Sequence, residues 1–157
     1  MRKILFLLLL TLPALALPTP EELVTRLYRT HLKTQDMRKT VAQLPQAFSP
    51  EFLETAKQAL ARPGADTDIF THTKAMLTDF AVDDATIWTS RAEVHLRFWT
   101  GDRVGQQKSV PQPVTVYLID EEQGAGYQVQ DIQFPGRPPF KVRDYLTQLT
   151  GGQPKTP

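Results

Sequence analysis

The chain contains no cysteine, and that absence removes thiolate nucleophiles, dithiol redox pairs, disulfide staples and cysteine-type zinc sites together. An excess of one charge is missing too, with 18 Lys and Arg against 17 Asp and Glu. A near-neutral, mixed surface has no electrostatic reason to seek nucleic acid or an anionic membrane. The denser basic stretches, Lys33 to Lys39 and Arg137 to Arg143, are diluted by polar or apolar residues and read as solvated helix ends. Only eight glycines occur, scattered among turns, so no phosphate-cradling loop is present. The histidines, His31, His72 and His95, show neither His-x-x-x-His nor His-Glu-x-x-His spacing, and no metal or cofactor is expected. Ser49, Ser90 and Ser109 lack a Gly-x-Ser-x-Gly elbow, which disfavours serine hydrolase chemistry.

What is present begins with an address. Arg2 and Lys3 precede an apolar run from Ile4 to Leu12, broken only by Thr11, and Ala14-Leu15-Ala16 follows. These are the charged, apolar and small-x-small parts of a secretory leader. The run is too short for a membrane span, which needs roughly 20 residues. Cleavage after Ala16 would leave a mature chain starting at Leu17, without a cysteine to carry lipid. The formal charge would then change from +1 to −1, since Arg2 and Lys3 depart with no acidic residue. The expected organisation is a signal peptide over 1–16, one domain over 17–150 and a flexible tail over 151–157. The expected location is periplasmic or extracellular.

The mature length suffices to bury about two-thirds of the unfolded chain's surface, so packing alone can stabilise it. Thr19-Pro20-Glu21-Glu22 combines an N-cap, a proline at the first helical position and a capping box. Leu23, Val24, Leu27, Tyr28 and Leu32 continue that helix with one apolar face. Asp36 to Pro45 is less decided, with Val41 and Leu44 suited to a short helical turn. Ser49-Pro50-Glu51 repeats the cap-then-proline signature, with Phe48 before the cap and Leu53 at the fourth helical position placed for a staple, and Phe52, Leu53, Ala56 and Leu60 as the buried stripe. Arg62-Pro63-Gly64 ends this helix, a loop follows, and Thr73 to Asp79 reads as a short helix with Met76, Leu77 and Phe80 as contacts.

The period then changes to two. Ala92, Val94, Leu96 and Phe98 alternate with charged and polar residues, and Val114, Val116 and Leu118 form a second such set. Gly101 to Pro111 and Glu121 to Gly126 read as turns. The strand from Tyr127 to Phe134 breaks its own alternation. Burying Ile132 beside Val129 requires a bulge near Gln130 and Asp131; otherwise Asp131 points into the concave face. A last helix carries Val142, Tyr145, Leu146 and Leu149, stopped by Gly151-Gly152. Helices followed by a run of three to four antiparallel strands and a short helix give an α+β domain with helices on one face of a curved sheet.

These segments resemble a bacterial envelope family of unknown function with the nuclear-transport-factor-2-like, cone-shaped α+β fold. The resemblance lies in Thr19 to Val24 with Leu27-Tyr28, in Ser49 to Leu53, and in Leu77-Thr78-Asp79-Phe80. It continues in Gly126-Tyr127-Gln128-Val129-Gln130-Asp131-Ile132, where Tyr127 stands for the family's usual Trp, and in Phe140 to Leu149. It implies a fold, an exported location and a pocket between sheet and helices, and no reaction.

Tyr28, Asp79, Tyr117 and Asp131 are the candidate ligand-binding residues, and no catalytic set is recognisable. The leading expectation is a non-enzymatic exported domain that binds a small apolar ligand or an envelope protein. An isomerase or hydrolase would instead use Asp131 or Asp79 as base and Tyr28 or Tyr117 as donor, in the manner of ketosteroid isomerase or limonene epoxide hydrolase. Neither family's motif spacing occurs here. A homodimer could use Trp99, Tyr117 and Ile119 on the outer sheet face. His31 and His95 are expected on the surface, and His72 at a helix start.

Overall fold

A computed structural model describes residues 17–101, 110–122 and 124–152. The expected leader, the residues from Gln153 to Pro157, Ser109 and most of the connection from Gly101 to Pro111 lie outside the described residues. Helix α1 spans Pro20–Thr34 and starts as its sequence requires. The Thr19 hydroxyl accepts from the Glu22 backbone N–H, and the Glu22 carboxylate accepts from the Thr19 N–H. Gln35 ends it in a left-handed conformation. The undecided segment that follows is helix α2, Met37–Gln43, capped by Asp36, and a single 3₁₀ turn over Pro45–Ala47. Helix α3, Pro50–Leu60, is capped by the Ser49 hydroxyl. Phe48 stacks on Phe52, with ring centroids 5.5 Å apart, one residue before the Leu53 expected as its staple partner.

The remaining elements are strands β1 (Met76–Ile87), β2 (Arg91–Gly101), β3 (Gln112–Ile119), β4 (Gln128–Phe134) and β5 (Phe140–Lys141), then helix α4 (Val142–Leu149). All five strands pair antiparallel in chain order. The molecule is thus α+β, with an open antiparallel sheet and its core between sheet and helices. Alternation places Ala92, Val94, Leu96 and Phe98 of β2 and Val114, Val116 and Leu118 of β3 in that core, against Val24, Leu27, Phe48 and Phe52. Among the described residues no helix is long and apolar enough to cross a membrane.

Two expectations about elements are corrected. Among the described residues five strands are present where three to four were expected. The helix expected over Thr73 to Asp79 does not form, and β1 occupies the segment from Met76. Bulges at Thr78 and Asp83 put Leu77, Phe80, Val82, Ala85 and Ile87 opposite Thr100, Phe98, Leu96, Val94 and Ala92. The β1 residues on the sheet's core-side face, of which Ile87 at the strand end is exposed, therefore recur at alternating steps of three and two, which imitates a helical period. The bulge expected in β4 is present: Tyr117 faces Asp131 and the next pair is Leu118 with Val129, leaving Gln130 as the extra residue.

Strand β1 is an edge, and the fold blunts it. Its two bulges interrupt the ladder and Asp83 and Asp84 are exposed on it. At its start the Gln35 side chain takes the place of a neighbouring strand. Its Nε2 donates to the Leu77 carbonyl at 2.6 Å and its Oε1 accepts from the Leu77 N–H at 3.1 Å.

Candidate functional site

The segment between α3 and β1 has no regular structure, yet a polar network from α1 and α2 holds it. Tyr28, fully buried on α1, donates its hydroxyl to the Phe70 carbonyl at 3.1 Å. One turn later His31, 2 % exposed, sets Nε2 3.1 Å from the Asp68 carboxylate and Nδ1 3.1 Å from the Thr40 hydroxyl of α2. Asp68 in turn accepts from the Phe70 N–H at 2.8 Å, and its carbonyl accepts from the His72 N–H at 2.8 Å. The Phe70 ring lies 4.6 Å from the His31 ring and 6.1 Å, edge-on, from Tyr28. Loops carry function when a rigid scaffold positions them, and here the scaffold reaches in from two helices.

His31 is therefore not a surface residue, as expected from its place near a helix end, but a buried loop anchor. His72 does not start a helix; it sits in a left-handed loop conformation with φ 51°. His95 does stand on the outer sheet face, paired with Thr115 at 3.1 Å.

Thr40, His31 and Asp68 have the connectivity of a hydroxyl, an imidazole and an orienting carboxylate. The arrangement nevertheless does not expose a nucleophile. Thr40 is completely buried, its hydroxyl reaches the Asp36 carbonyl at 2.9 Å, and it lies 2.8 Å from the Thr34 hydroxyl. A carbonyl substrate could not approach within the near-attack distance of about 3–3.5 Å. The trio holds the loop.

Three concavities border this region. A cavity of about 410 Å³ lies over the His31–Asp68 pair, walled by Gln35, Asp36, Lys74 and Met76. A polar cleft of about 280 Å³ lies on the other side of the same loop, between Thr71, His72 and Thr73 and the ends of β2, β3 and β4. The third, about 270 Å³, is a groove between α2 and α3 formed by Val41, Ala42, Leu60 and Ala61, with Arg38 and Lys57 at its rim. Arg38 is held there by donating Nε–H to the Leu60 carbonyl at 2.8 Å. Among the described residues no group of three or more His, Asp or Glu side chains is placed to hold a metal ion.

The four residues singled out in the sequence do not converge on one cavity, and none lines these three. Tyr28 is inside the core; burial, and secondarily the Asp68 carboxylate, push its phenol far above the ordinary range. Asp79 is across from Trp99 on the edge strand and accepts from the Phe80 N–H at 2.9 Å. Tyr117 and Asp131 do meet, directly across β3 and β4. Burial raises the Tyr117 phenol, with Glu93 and Asp131 adding to the effect.

Asp131 is 7 % exposed and sits in the bulge. One carboxylate oxygen accepts from the Ile132 N–H at 2.8 Å and from the Arg143 N–H at 3.0 Å, in the first turn of α4. Lys141, the residue at the N-cap position of that helix, gives no side-chain cap. Asp131 supplies it from another element. Burial raises its pKa above the ordinary carboxylate value, against the lowering effect of these backbone donors and Gln133.

No family model matches the chain, and neither a curated protein nor a solved structure does.

Proposed function

We propose that the protein is an exported, non-enzymatic binding domain of the nuclear-transport-factor-2-like type that carries a small amphiphile. The apolar tail lies in the α2–α3 groove and an anionic head sits between Arg38 and Lys57. The observation that carries this reading is the groove itself: apolar residues at its base and two cations at its rim. A carboxylate or phosphate head would meet opposite charge there, while a cationic head would meet like charge. Export rests on the leader-like order of Arg2-Lys3, the apolar run and Ala14-Leu15-Ala16. The fold type rests on the family-like segments and on helices followed by an antiparallel meander.

The isomerase or hydrolase reading has less support. The Tyr28 hydroxyl is spent on the Phe70 carbonyl and the Asp131 carboxylate on the start of α4. A homodimer through the outer sheet face is likewise less supported. That face carries the bidentate Arg97–Asp83 pair and the His95–Thr115 contact between its half-buried aromatics.

Calorimetric titration below the micellar concentration, with decanoate and decyltrimethylammonium, tests the reading. Decanoate should bind and the ammonium should not. Ala42→Trp, at an exposed groove position, should abolish binding, and Lys57→Gln should weaken it without unfolding the protein. Equal binding of both surfactants, or indifference to Ala42→Trp, would contradict the proposal.

A further inference from the structure

Exposed apolar residues gather at one end of the sheet. Leu17 is 53 % exposed, Ile87 53 % and Trp88 50 %. Ile87 ends β1 and Trp88 opens the turn into β2, closed where the Trp88 N–H donates to the Arg91 carbonyl at 2.8 Å. The turn between β3 and β4 lies beside this hairpin tip, since the Asp120 N–H donates to the Ser90 carbonyl at 2.9 Å. From that turn the Tyr127 hydroxyl donates to the Trp88 carbonyl at 3.3 Å. Leu17 joins the same surface: its methyl carbons are 3.5 and 3.8 Å from the position a Cβ would take at Gly126. Single exposed apolar residues need no explanation, but a linked set that includes a tryptophan marks an interaction surface.

The chemistry of this end suits a lipid surface. It is built from a hairpin tip, a turn and the approach to a helix, and its residues line none of the three concavities described above. Tryptophan and tyrosine combine an apolar body with a polar group, the pairing that fits the boundary between lipid headgroups and acyl chains. Neighbouring charges set the headgroup. Glu121 and Glu122 are exposed on the β3–β4 turn, with Arg91 exposed at the hairpin. The two carboxylates repel anionic lipid and tolerate a zwitterionic headgroup. They also oppose self-association, because two copies meeting here would bring like charges together.

We propose that this end of the molecule docks on a zwitterionic lipid bilayer, with Trp88 and Ile87 at headgroup depth and Leu17 and Tyr127 beside them. The apolar run Ile4 to Leu12 joins the fold through Leu17, so a membrane that receives that run meets this patch first. That one support rests on the export reading; the others stand on the exposed residues themselves.

The test is flotation of the chain from Leu17, which contains every described element, with phosphatidylcholine or phosphatidylglycerol vesicles at low salt. The protein should float with the first and remain behind with the second. Trp88→Ser should lower the ratio of bound to free protein about tenfold, the loss of one large apolar side chain's burial. Glu121→Lys with Glu122→Lys should add binding to phosphatidylglycerol. In a Trp99→Phe protein, where Trp88 is the remaining tryptophan, emission should shift to the blue on mixing with phosphatidylcholine. Met76→Ser removes an exposed apolar side chain at the other end of β1 and should change nothing. No flotation with phosphatidylcholine, an equal loss from Met76→Ser, unchanged Trp88 emission, or a Trp88-dependent dimer in place of binding would overturn the proposal. Flotation of the full chain but not of the chain from Leu17 would also overturn it, while leaving the export reading intact.

Discussion

Asp131 and Tyr28 are polar residues whose positions in the sequence invite a chemical reading and whose surroundings give them structural work. Removing the Asp131 cap with Asp131→Ala should cost about 1–2 kcal/mol, as losing a helix N-cap does, measurable by urea unfolding. Asp131→Asn keeps an oxygen for Arg143 and Ile132 and should cost less. The sign of the pH effect follows from the raised native pKa. The native state holds this proton more tightly than the unfolded chain, so stability falls as pH rises through the native value. Wild type should therefore gain on Asp131→Asn as pH is lowered through that value, and lose the gain above it. A pH-independent difference between the two proteins would contradict this. Tyr28→Phe leaves the Phe70 carbonyl without its donor and should cost about 1–3 kcal/mol. The cost should appear with faster amide exchange at Phe70 and His72 and unchanged exchange in β3.

Among the elements, the helices were legible because their ends are written locally. Thr19 with Glu22, and Ser49 with Pro50, need only neighbouring residues to act, and both caps form as expected. The β4 bulge was legible because Val129 and Ile132 violate alternation within a few residues. Strand β1 was not, because its two bulges turn a period of two into steps of three and two. Its acidic residues, Asp79, Asp83 and Asp84, are also poor strand formers. The candidate site was least legible. His31 looked like a helix-end histidine because its partner Asp68 lies in a distant loop, and the groove exists only where α2 meets α3 across the chain. His72 could have been found from Thr71-His72-Thr73 at a loop junction, but its left-handed backbone leaves no signature in that string. The edge strand supports one further expectation. Asp83→Val with Asp84→Val should lengthen the apolar edge and give concentration-dependent oligomers on size-exclusion chromatography, whereas wild type elutes unchanged over the same range. Identical elution of both proteins would count against the role assigned to these residues.

At the scale of the molecule, a disulfide-free domain of this size must be stabilised by its continuous core, from Leu23 on α1 to Leu146 on α4. That core fills the space between helices and sheet. The open surfaces are consequently at its margins: the α2–α3 groove and the two sides of the loop that Tyr28 and His31 hold. Intact mass of the exported protein should correspond to a chain starting at Leu17, and any other start would contradict cleavage after Ala16. The central claim, a tail-binding groove with a cationic rim, is tested most directly by mapping amide shifts on titration with decanoate. The account predicts saturable shifts at Val41, Ala42, Leu60 and Ala61, absent in Ala42→Trp and absent with decyltrimethylammonium. Shifts confined to the sheet, or the same shifts from both surfactants, would contradict it.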